Sequence, residues 1–158
     1  MTTPKSYTVR PVTQDDHARW QQLYEGYLNF YGTSLTGHQM DVVWSWLLDP
    51  EHEVTGLLAE GSGGVVALAH YREFSRPSSA SVGAYLDDLF VDPTARGGGA
   101  VESLLAELRR IGGERNWTVI RWITADDNYR ARSKYDQQGR RTPWITYDMS
   151  PTASRHPG

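Results

Sequence analysis

A strand, a run of glycines and an amphipathic helix follow one another without interruption in YLDDLFVDPTARGGGAVESLLAEL, residues 85–108. Glycine loses more conformational freedom on folding than other residues, so a fold that orders three of them before a helix needs the bare backbone there. The first N–H groups of a helix and the positive end of its dipole attract anions. The segment therefore predicts that Gly97, Gly98 and Gly99 receive an anionic group; a flexible turn that caps the helix is the alternative.

Two adjacent acids, Asp87 and Asp88, interrupt the apolar strand before the glycines. Side chains two apart share a strand face, which groups Asp87 with Tyr85, Leu89 and Val91, and Asp88 with Leu86 and Phe90. Both faces are otherwise apolar, as in a strand covered on both sides, so we expect at least one carboxylate to be withdrawn from water. Such a group is a candidate acid or base with a tunable pKa. The structural alternative is a carboxylate held by backbone or by an arginine.

The order of helical and strand patterns predicts an α/β (α+β) fold with a mixed central β-sheet and helices on both faces. Thr13 and Asp16 have the spacing of a capping box before the first helix. The 158 residues suit one core, which we assign to residues 1–150, with a disordered tail at 151–158. The predicted strands cover residues 7–12, 54–59, 65–74, 83–91, 119–124 and 144–149, and the later helices include residues 40–48, 101–111 and 128–138.

Composition excludes several function classes. A formal net charge of -3 and a sequence pI near 5.9 argue against the basic surface that nucleic-acid binding requires. The absence of cysteine excludes disulfides and thiolate chemistry, and the histidines lack the spacing of metal ligands on a helix, so we expect no metal. The polar start MTTPKSYTVRPV lacks the apolar core of a signal peptide, and no stretch reaches transmembrane length. These observations lead us to expect a cytoplasmic protein without a membrane or nucleic-acid partner.

Aromatic residues repeat at helical spacing in the first two helices, at Trp20, Tyr24, Tyr27, Tyr31 and Trp44. Such stripes usually belong to the core, whereas aromatic rings that face a site can bind a cation. His70, in a predicted central strand, has the same two interpretations: a core histidine with satisfied hydrogen bonds, or a residue facing an acceptor.

Two segments together resemble a known family. LDDLFVDPTARGGGAVESLL resembles the strand–loop–helix signature of the GNAT superfamily of N-acetyltransferases, whose Arg/Gln-x-x-Gly-x-Gly/Ala motif receives the pyrophosphate of acetyl-coenzyme A (acetyl-CoA). WITADDNYRARSKYDQQG resembles a second family element, Asn-x-x-Ala-x-x-aromatic/Leu-Tyr, with Asn128, Ala131 and Tyr135 in register. The similarity extends over residues 6–149 and is greatest to the subgroup that includes yeast histone and polyamine acetyltransferases.

The resemblance implies a role for each matched position. Backbone groups of residues 89–91 would bind the pantetheine arm and polarise the acetyl carbonyl, and residues 96–101 would hold the pyrophosphate. Asn128 would bind the coenzyme's arm, Tyr135 would protonate the departing thiolate, and Asp87 would act as general base through water. The implied coenzyme-binding residues are Leu89, Phe90, Val91, Arg96, Gly97, Gly98, Gly99, Ala100, Val101 and Asn128.

The implied activity is transfer of an acetyl group from acetyl-CoA to a primary amine by direct attack in a ternary complex, with a homodimer as the expected assembly. The acceptor would be a small molecule such as a polyamine or amino acid, or a protein lysine. Val101 replaces the final Gly or Ala of the motif and would crowd the pyrophosphate, and Glu102 adds a negative charge at the helix start. A non-catalytic coenzyme A sensor or interaction module is therefore the alternative. An unrelated nucleotide-binding or assembly domain is a third, which the match at Asn128 and Tyr135 disfavours.

Overall fold

The computed structural model describes residues 6–152, which form two compact units divided between Ile123 and Thr124. The first unit contains the sheet. Its strands are β1 (Thr8–Pro11), β2 (Val54–Gly61), β3 (Gly64–Arg76), β4 (Ser81–Val91) and β5 (Ile120–Arg121). Its helices are α1 (His17–Phe30), α2 (Gly37–Leu48) and α3 (Ala100–Arg115).

The five strands form one sheet in the order β1-β2-β3-β4-β5. All neighbours are antiparallel except β4 and β5, which are parallel, so the sheet is mixed as predicted. The predicted capping box also forms: the Thr13 backbone N–H donates to Asp16 Oδ2 at 2.8 Å, and a turn of 3-10 helix at Gln14–Asp16 leads into α1. Asp16 in turn accepts two hydrogen bonds from Arg10 at 2.8 and 2.9 Å, which fixes the start of α1 against β1.

Two hydrophobic clusters lie on opposite faces of the sheet, which confirms the prediction of helices on both faces. On one face, α1 and α2 pack their buried residues, including Trp20 and Leu23, against Leu58 and Leu68. On the other, α3 contributes the buried cluster that we call the α3-side cluster; its helix and sheet members are Leu57, Ala59, Ala67, Ala69, Tyr71, Ala84, Leu86, Ala100, Leu104, Leu105 and Leu108.

Strand β4 contains a β-bulge at the two acids. His70 pairs with Asp88 and Tyr71 with Leu86, so Asp87 is an extra residue without an opposite partner on β3. Leu86 and Leu89 consequently both pack in the α3-side cluster although they are three residues apart. The predicted sharing of faces was therefore wrong in part: Asp88 does not lie with Leu86, and Asp87 does not lie with Leu89. Asp88 does share the α1 face with Phe90, and Asp87 lies with Tyr85, as predicted. The physical reason is that one inserted residue ends strict alternation.

Strand β4 also diverges from β5. Their pairing covers only Ala84 with Ile120 and Tyr85 with Arg121, which is much shorter than the predicted strand at 119–124. The bulge begins two residues beyond Tyr85, and a bulge bends its strand and increases the local twist. As a result, residues 86–91 of β4 are paired with β3 on one side but not with β5 on the other.

The second unit contains α4 (Tyr129–Gln138), which matches the predicted helix at 128–138. The strand predicted at 144–149 was wrong: these residues form no strand, and Trp144, Ile145, Tyr147 and Met149 are between 74% and 92% exposed. Alternating apolar residues favour a strand only where another strand accepts their backbone hydrogen bonds. The tail predicted at 151–158 lies mostly outside the described residues, which end at 152. Within residues 6–152, every helix is too short or too polar to cross a bilayer.

Candidate active site

The glycine run forms an open loop at the start of α3. Gly97 and Gly99 have left-handed backbones, with φ of +79° and +95°, a conformation that costs other L-residues about 1–2 kcal/mol. A Cβ atom at either position would meet no atom within 4 Å, so the space in front of the loop is open. Gly99 is the N-cap of a 16-residue helix, whose first amide groups have no partner within the helix. Bare backbone, open space and a positive dipole end fit a pyrophosphate group.

The loop is anchored to α1 by an ion pair. Arg19 donates to Asp92 Oδ2 at 2.8 Å and to the Val65 carbonyl at 2.8 Å. Asp92 Oδ1 accepts from the Thr94 backbone N–H at 2.9 Å. The hydrogen bond from Arg19, followed by those from Thr94, lowers the pKa of Asp92 to about 2. Asp92 is therefore ionised at neutral pH and fixes where the chain leaves β4 and turns into the loop.

A pocket of about 260 Å³ lies beside this anchor, within the first unit. Its lining includes Phe90 and Arg96, two of the predicted coenzyme-binding residues, and Gly26 of α1. A Cβ atom at Gly26 would lie 2.8 Å from two ring atoms of Phe90, so a side chain at that position would require the Phe90 ring to shift.

Val101 and Glu102, the two residues that depart from the family motif, lie in different surroundings. Val101 is partly buried and packs against the α3-side cluster, so part of its branched side chain is directed to the core, and the crowding of the pyrophosphate stays a prediction. Glu102 lies in the first turn of α3, and its Oε2 atom is shielded from solvent. An acidic residue at the positive end of the dipole is unfavourable for the predicted anion loop.

Asp88 is held by a buried hydrogen-bond chain on the α1 face. The Trp20 indole N–H donates to His70 Nε2 at 2.9 Å, and His70 Nδ1 lies 2.8 Å from Asp88 Oδ2. Because an indole can only donate, Nε2 must be the acceptor and His70 carries its proton on Nδ1, which it donates to Asp88. The Tyr24 hydroxyl donates to the same oxygen at 3.2 Å. His70 is 2% exposed and both its ring nitrogens have partners, so the structure favours the interpretation as a core histidine with satisfied hydrogen bonds.

The two acids have pKa values displaced in opposite directions. Burial alone would raise the pKa of Asp88, but hydrogen bonds from His70, Tyr27 and Tyr24 outweigh it and lower that pKa. Burial raises the pKa of Asp87, more than its ion pair with Arg72 lowers it. The Arg72 Nε lies 3.1 Å from Asp87 Oδ2. Asp88 is therefore the fixed carboxylate, and Asp87 is the more basic and more exposed one.

Three tyrosines of α1 stack beside the acids. Tyr24 and Tyr27 have ring centroids 5.6 Å apart, and Tyr27 and Tyr31 are 4.9 Å apart. Burial, followed by the negative charge of Asp88, raises the pKa of all three phenols, so they are neutral at physiological pH. Their rings and the carboxylates form a surface suited to an ammonium group. The aromatic residues of α1 therefore differ in placement. Trp20 belongs to the core, whereas Tyr31 is about half exposed.

Sequence reasoning assigned no role to Arg72 and did not link His70 to Asp88. A signal for both was present, since His70 and Arg72 are two polar residues two positions apart at the end of an apolar run, and so share a strand face. Recognising their partners required the register of β3 against β4, which the bulge shifts by one residue.

Asn128 and Tyr135 lie in the second unit. Asn128 is the N-cap of α4, and its side-chain oxygen accepts from the Ala131 backbone N–H at 3.4 Å. Tyr135 is in the second turn of the helix, and its carbonyl accepts from Gly139 N–H at 2.8 Å. The Asn-x-x-Ala spacing therefore has a structural reason as well as the functional one that the resemblance implies, because an N-cap oxygen bonds the amide three residues later.

Within residues 6–152, no group of three or more His, Asp or Glu side chains is arranged to hold a metal ion. The features of the first unit that fit a ligand are thus the anion loop, the edge of β4 at residues 86–91, and the acids with their tyrosines on the α1 face.

Comparisons with known proteins agree with this fold. The chain is 30% identical over 132 residues to the uncharacterized N-acetyltransferase YhfO of Bacillus subtilis strain 168, covering 83% of this chain and 87% of that protein. It is 23% identical over 141 residues to the D-amino-acid N-acetyltransferase HPA3 of Saccharomyces cerevisiae, covering 88% of each. A solved structure of a possible acetyltransferase from Clostridium difficile 630 matches with a TM-score of 0.80 at 16% identity, covering 93% of this chain and 99% of that one.

The sequence model of the acetyltransferase (GNAT) family matches residues 20–139, which include α1, the sheet from β2 onward, the anion loop and α4. This span is more than half of the 158 residues. The chain therefore belongs to the acetyltransferase (GNAT) family and is an N-acetyltransferase.

Proposed function

We propose that this protein transfers the acetyl group of acetyl-CoA to the primary amine of a small molecule, by direct attack in a ternary complex. The observation that carries the proposal is the bulge in β4. It brings Asp87 and Asp88 to the α1 face together, beside three tyrosines and next to the unpaired edge of a strand that ends at the anion loop. The yeast relative is a D-amino-acid N-acetyltransferase, which supports a small amine as acceptor over a protein lysine.

In the proposed reaction, Asp87 acts as the general base. A primary amine with a pKa near 10 is almost fully protonated at neutral pH, so a proton must leave before its nitrogen can attack. Asp87 is about one-third exposed, and its pKa is raised by burial, so it can accept that proton directly or through a water molecule. Asp88 stays ionised because its donors favour the charged form, and it attracts the ammonium group before deprotonation.

The other steps use the groups that the motif resemblance implies. When bound, acetyl-CoA supplies the thioester from which the acetyl group leaves. Backbone N–H groups in residues 89–91 donate to the carbonyl oxygen as negative charge develops on it. A nitrogen–carbon bond forms, the carbon–sulfur bond breaks, and the Tyr135 hydroxyl donates its proton to the departing thiolate. The nitrogen loses its remaining excess proton as the amide forms, and that proton restores the Tyr135 hydroxyl through solvent. The anion loop, through Gly97 and Gly99, holds the pyrophosphate, and Asn128 binds the coenzyme's arm.

The alternative is a non-catalytic coenzyme A sensor, and the packing of part of Val101 against the α3-side cluster weakens one of the two reasons for it. The other reason, the negative charge of Glu102 at the start of α3, still favours the sensor. The two functions differ in one measurement: the enzyme releases thiol in the presence of an acceptor, whereas the sensor binds the coenzyme and releases none.

The experiment is a calorimetric titration with acetyl-CoA, followed by thiol release with amines of several classes. We expect micromolar binding and turnover. Tyr135→Phe is expected to bind acetyl-CoA normally and to lose at least tenfold in kcat, the low end of what general acid catalysis contributes. Tyr147→Phe, at an 85% exposed tyrosine in the same unit, is the matched control. Binding with no thiol release from the unmodified protein, whichever acceptor is supplied, would favour the sensor. Light scattering of the same sample tests the expected homodimer.

A further inference from the structure

A row of three side chains crosses three strands beyond the bulge. Arg72 on β3 is paired with Tyr85 on β4, and Tyr85 is paired with Arg121 on β5. Tyr71, Ala84 and Leu86, the neighbours of this row along β3 and β4, point into the α3-side cluster. Because side chains alternate, Arg72 and Tyr85 point to the opposite face, where Asp87 and Asp88 also lie.

Both guanidinium groups of the row lie over aromatic rings. The Arg72 guanidinium carbon is 5.0 Å from the centroid of Tyr85, and that of Arg121 is 5.6 Å from the centroid of Phe74. Phe74 and Tyr85 themselves meet edge to face, with centroids 6.3 Å apart. The rings hold the two cations in place, and stacking leaves the N–H groups in the guanidinium plane able to donate.

These donors are only partly used. The hydrogen bonds that Arg72 makes to Asp87 come from Nε, and its two terminal nitrogens have no acceptor within residues 6–123. Arg121 makes its contact with Phe74 and no ion pair within the same residues. The side chain of Arg72 is 37% exposed, so the terminal nitrogens are accessible from solvent. Two guanidiniums with unused donors match the bidentate geometry of a carboxylate.

One sheet face thus carries charges of both signs, which meet at the ion pair of Arg72 with Asp87. Arg72 and Arg121 form its cationic end, and Asp87 and Asp88 form its anionic end, where the proposed reaction takes place. A polyamine has only positive charge and would be repelled at the arginine end. An amino acid carries an ammonium and a carboxylate on the same small molecule, and so matches both ends.

Building on the proposed function, we propose that the acceptor is a free amino acid, whose amine lies at Asp87 and Asp88 and whose carboxylate is bound by Arg72 and Arg121. Arg121 is then a specificity-determining residue for the acceptor carboxylate. Arg72 serves both groups, since it also fixes Asp87 through Nε.

The test compares acceptors that differ only in the carboxylate. Thiol release is measured with α-amino acids in both enantiomers, with the amides and methyl esters of the same amino acids, and with putrescine and spermidine. We expect kcat/KM to fall at least tenfold when the carboxylate is masked, and to be lower still for the diamine and triamine. Equal rates for acid and amide, or a preference for the polyamines, would overturn the proposal.

Arg121→Gln supplies the second measurement. We expect its KM for an amino acid to rise at least tenfold, with KM for the matching amide and the Kd for acetyl-CoA unchanged. Arg110→Gln is the matched control, since Arg110 is an exposed arginine of α3 that pairs with Glu107 and Glu114 on its own helix. A rise in KM for acid and amide alike in Arg121→Gln would refute a carboxylate site.

A separate measurement distinguishes failure of the proposed acetyl transfer from failure of the carboxylate site. If no acceptor gives thiol release, the enzyme proposal fails, and calorimetric binding of amino acids in the presence of coenzyme A tests the carboxylate site on its own. Binding that Arg121→Gln removes and Arg110→Gln retains would support the site. Absence of amino-acid binding to the unmodified protein would overturn it.

Discussion

The hydrogen bond from Trp20 to His70 gives the most quantitative prediction. Trp20→Phe keeps an aromatic ring but removes the indole N–H that donates to His70 Nε2 at 2.9 Å. Trp20 is 0% and His70 2% exposed, so water does not replace the lost donor. An unsatisfied buried acceptor costs about 1–3 kcal/mol, and the smaller ring adds about 1 kcal/mol for the cavity. We therefore expect the free energy of unfolding to fall by about 2–4 kcal/mol and Tm by about 5–15 °C.

A double-mutant cycle separates the hydrogen bond from the packing. Urea denaturation gives the free energy of unfolding of Trp20→Phe, His70→Leu and the double variant. Once His70 is leucine, no acceptor is left unsatisfied, so Trp20→Phe should cost about 1–3 kcal/mol less than in the unmodified protein. Trp46→Phe is the control, since Trp46 is 39% exposed and stacks on His52, and we expect a change of about 0.5 kcal/mol or less. Additivity of the two changes within about 0.5 kcal/mol would refute the hydrogen-bond chain.

Two further predictions concern the anion loop and the start of α1. Gly99→Ala places a methyl group in the open space of the loop at φ +95°, so we expect calorimetry to show at least tenfold weaker acetyl-CoA binding and unfolding to show a loss of about 1–2 kcal/mol. Gly113→Ala, in the interior of α3 with no atom near the new Cβ, should instead gain about 0.5–1 kcal/mol and bind normally, and equal affinities for the two variants would contradict the role of the loop. Hydrogen bonds from Arg10 lower the pKa of Asp16 from 3.8 to about 2, so the pair contributes stability above pH 4 that is lost as pH falls toward 2. Arg10→Gln should therefore cost roughly 1–2 kcal/mol in urea denaturation at pH 7 and much less at pH 2, and an equal cost at both pH values would show that the carboxylate is not involved.

The sequence predicted those parts of the fold that depend on local patterns. Helical spacing, the capping box at Thr13 and Asp16, and the glycine run before α3 each have a local physical cause, and each formed where it was predicted. The five strands of the sheet were found for the same reason, although β5 is shorter than its pattern. These features need no knowledge of what lies opposite.

The features that were missed depend on pairing. The bulge at Asp87 is set by the register of β3 against β4, and it decides which face each acid occupies. The segment 144–149 has the pattern of a strand but no strand to pair with among the described residues. The roles of His70 and Arg72 likewise follow from partners 18 and 15 residues away in sequence. The candidate site was thus predictable in its loop and its acids, and not in the network that distinguishes the acids.

The bulge also limits where residues can be inserted into the chain or deleted from it. The two halves of β4 are out of phase, so loss of one residue between Leu86 and Leu89 would exchange the faces of everything that follows before the anion loop. Phe90 would turn toward α3, and Leu89 would turn toward the tyrosines of α1. Insertions and deletions of single residues are therefore excluded from this strand, whereas the hairpin tip at Pro77–Ser79, whose residues are exposed or nearly so, can vary. A designer who wishes to lengthen this protein should do so at the hairpin.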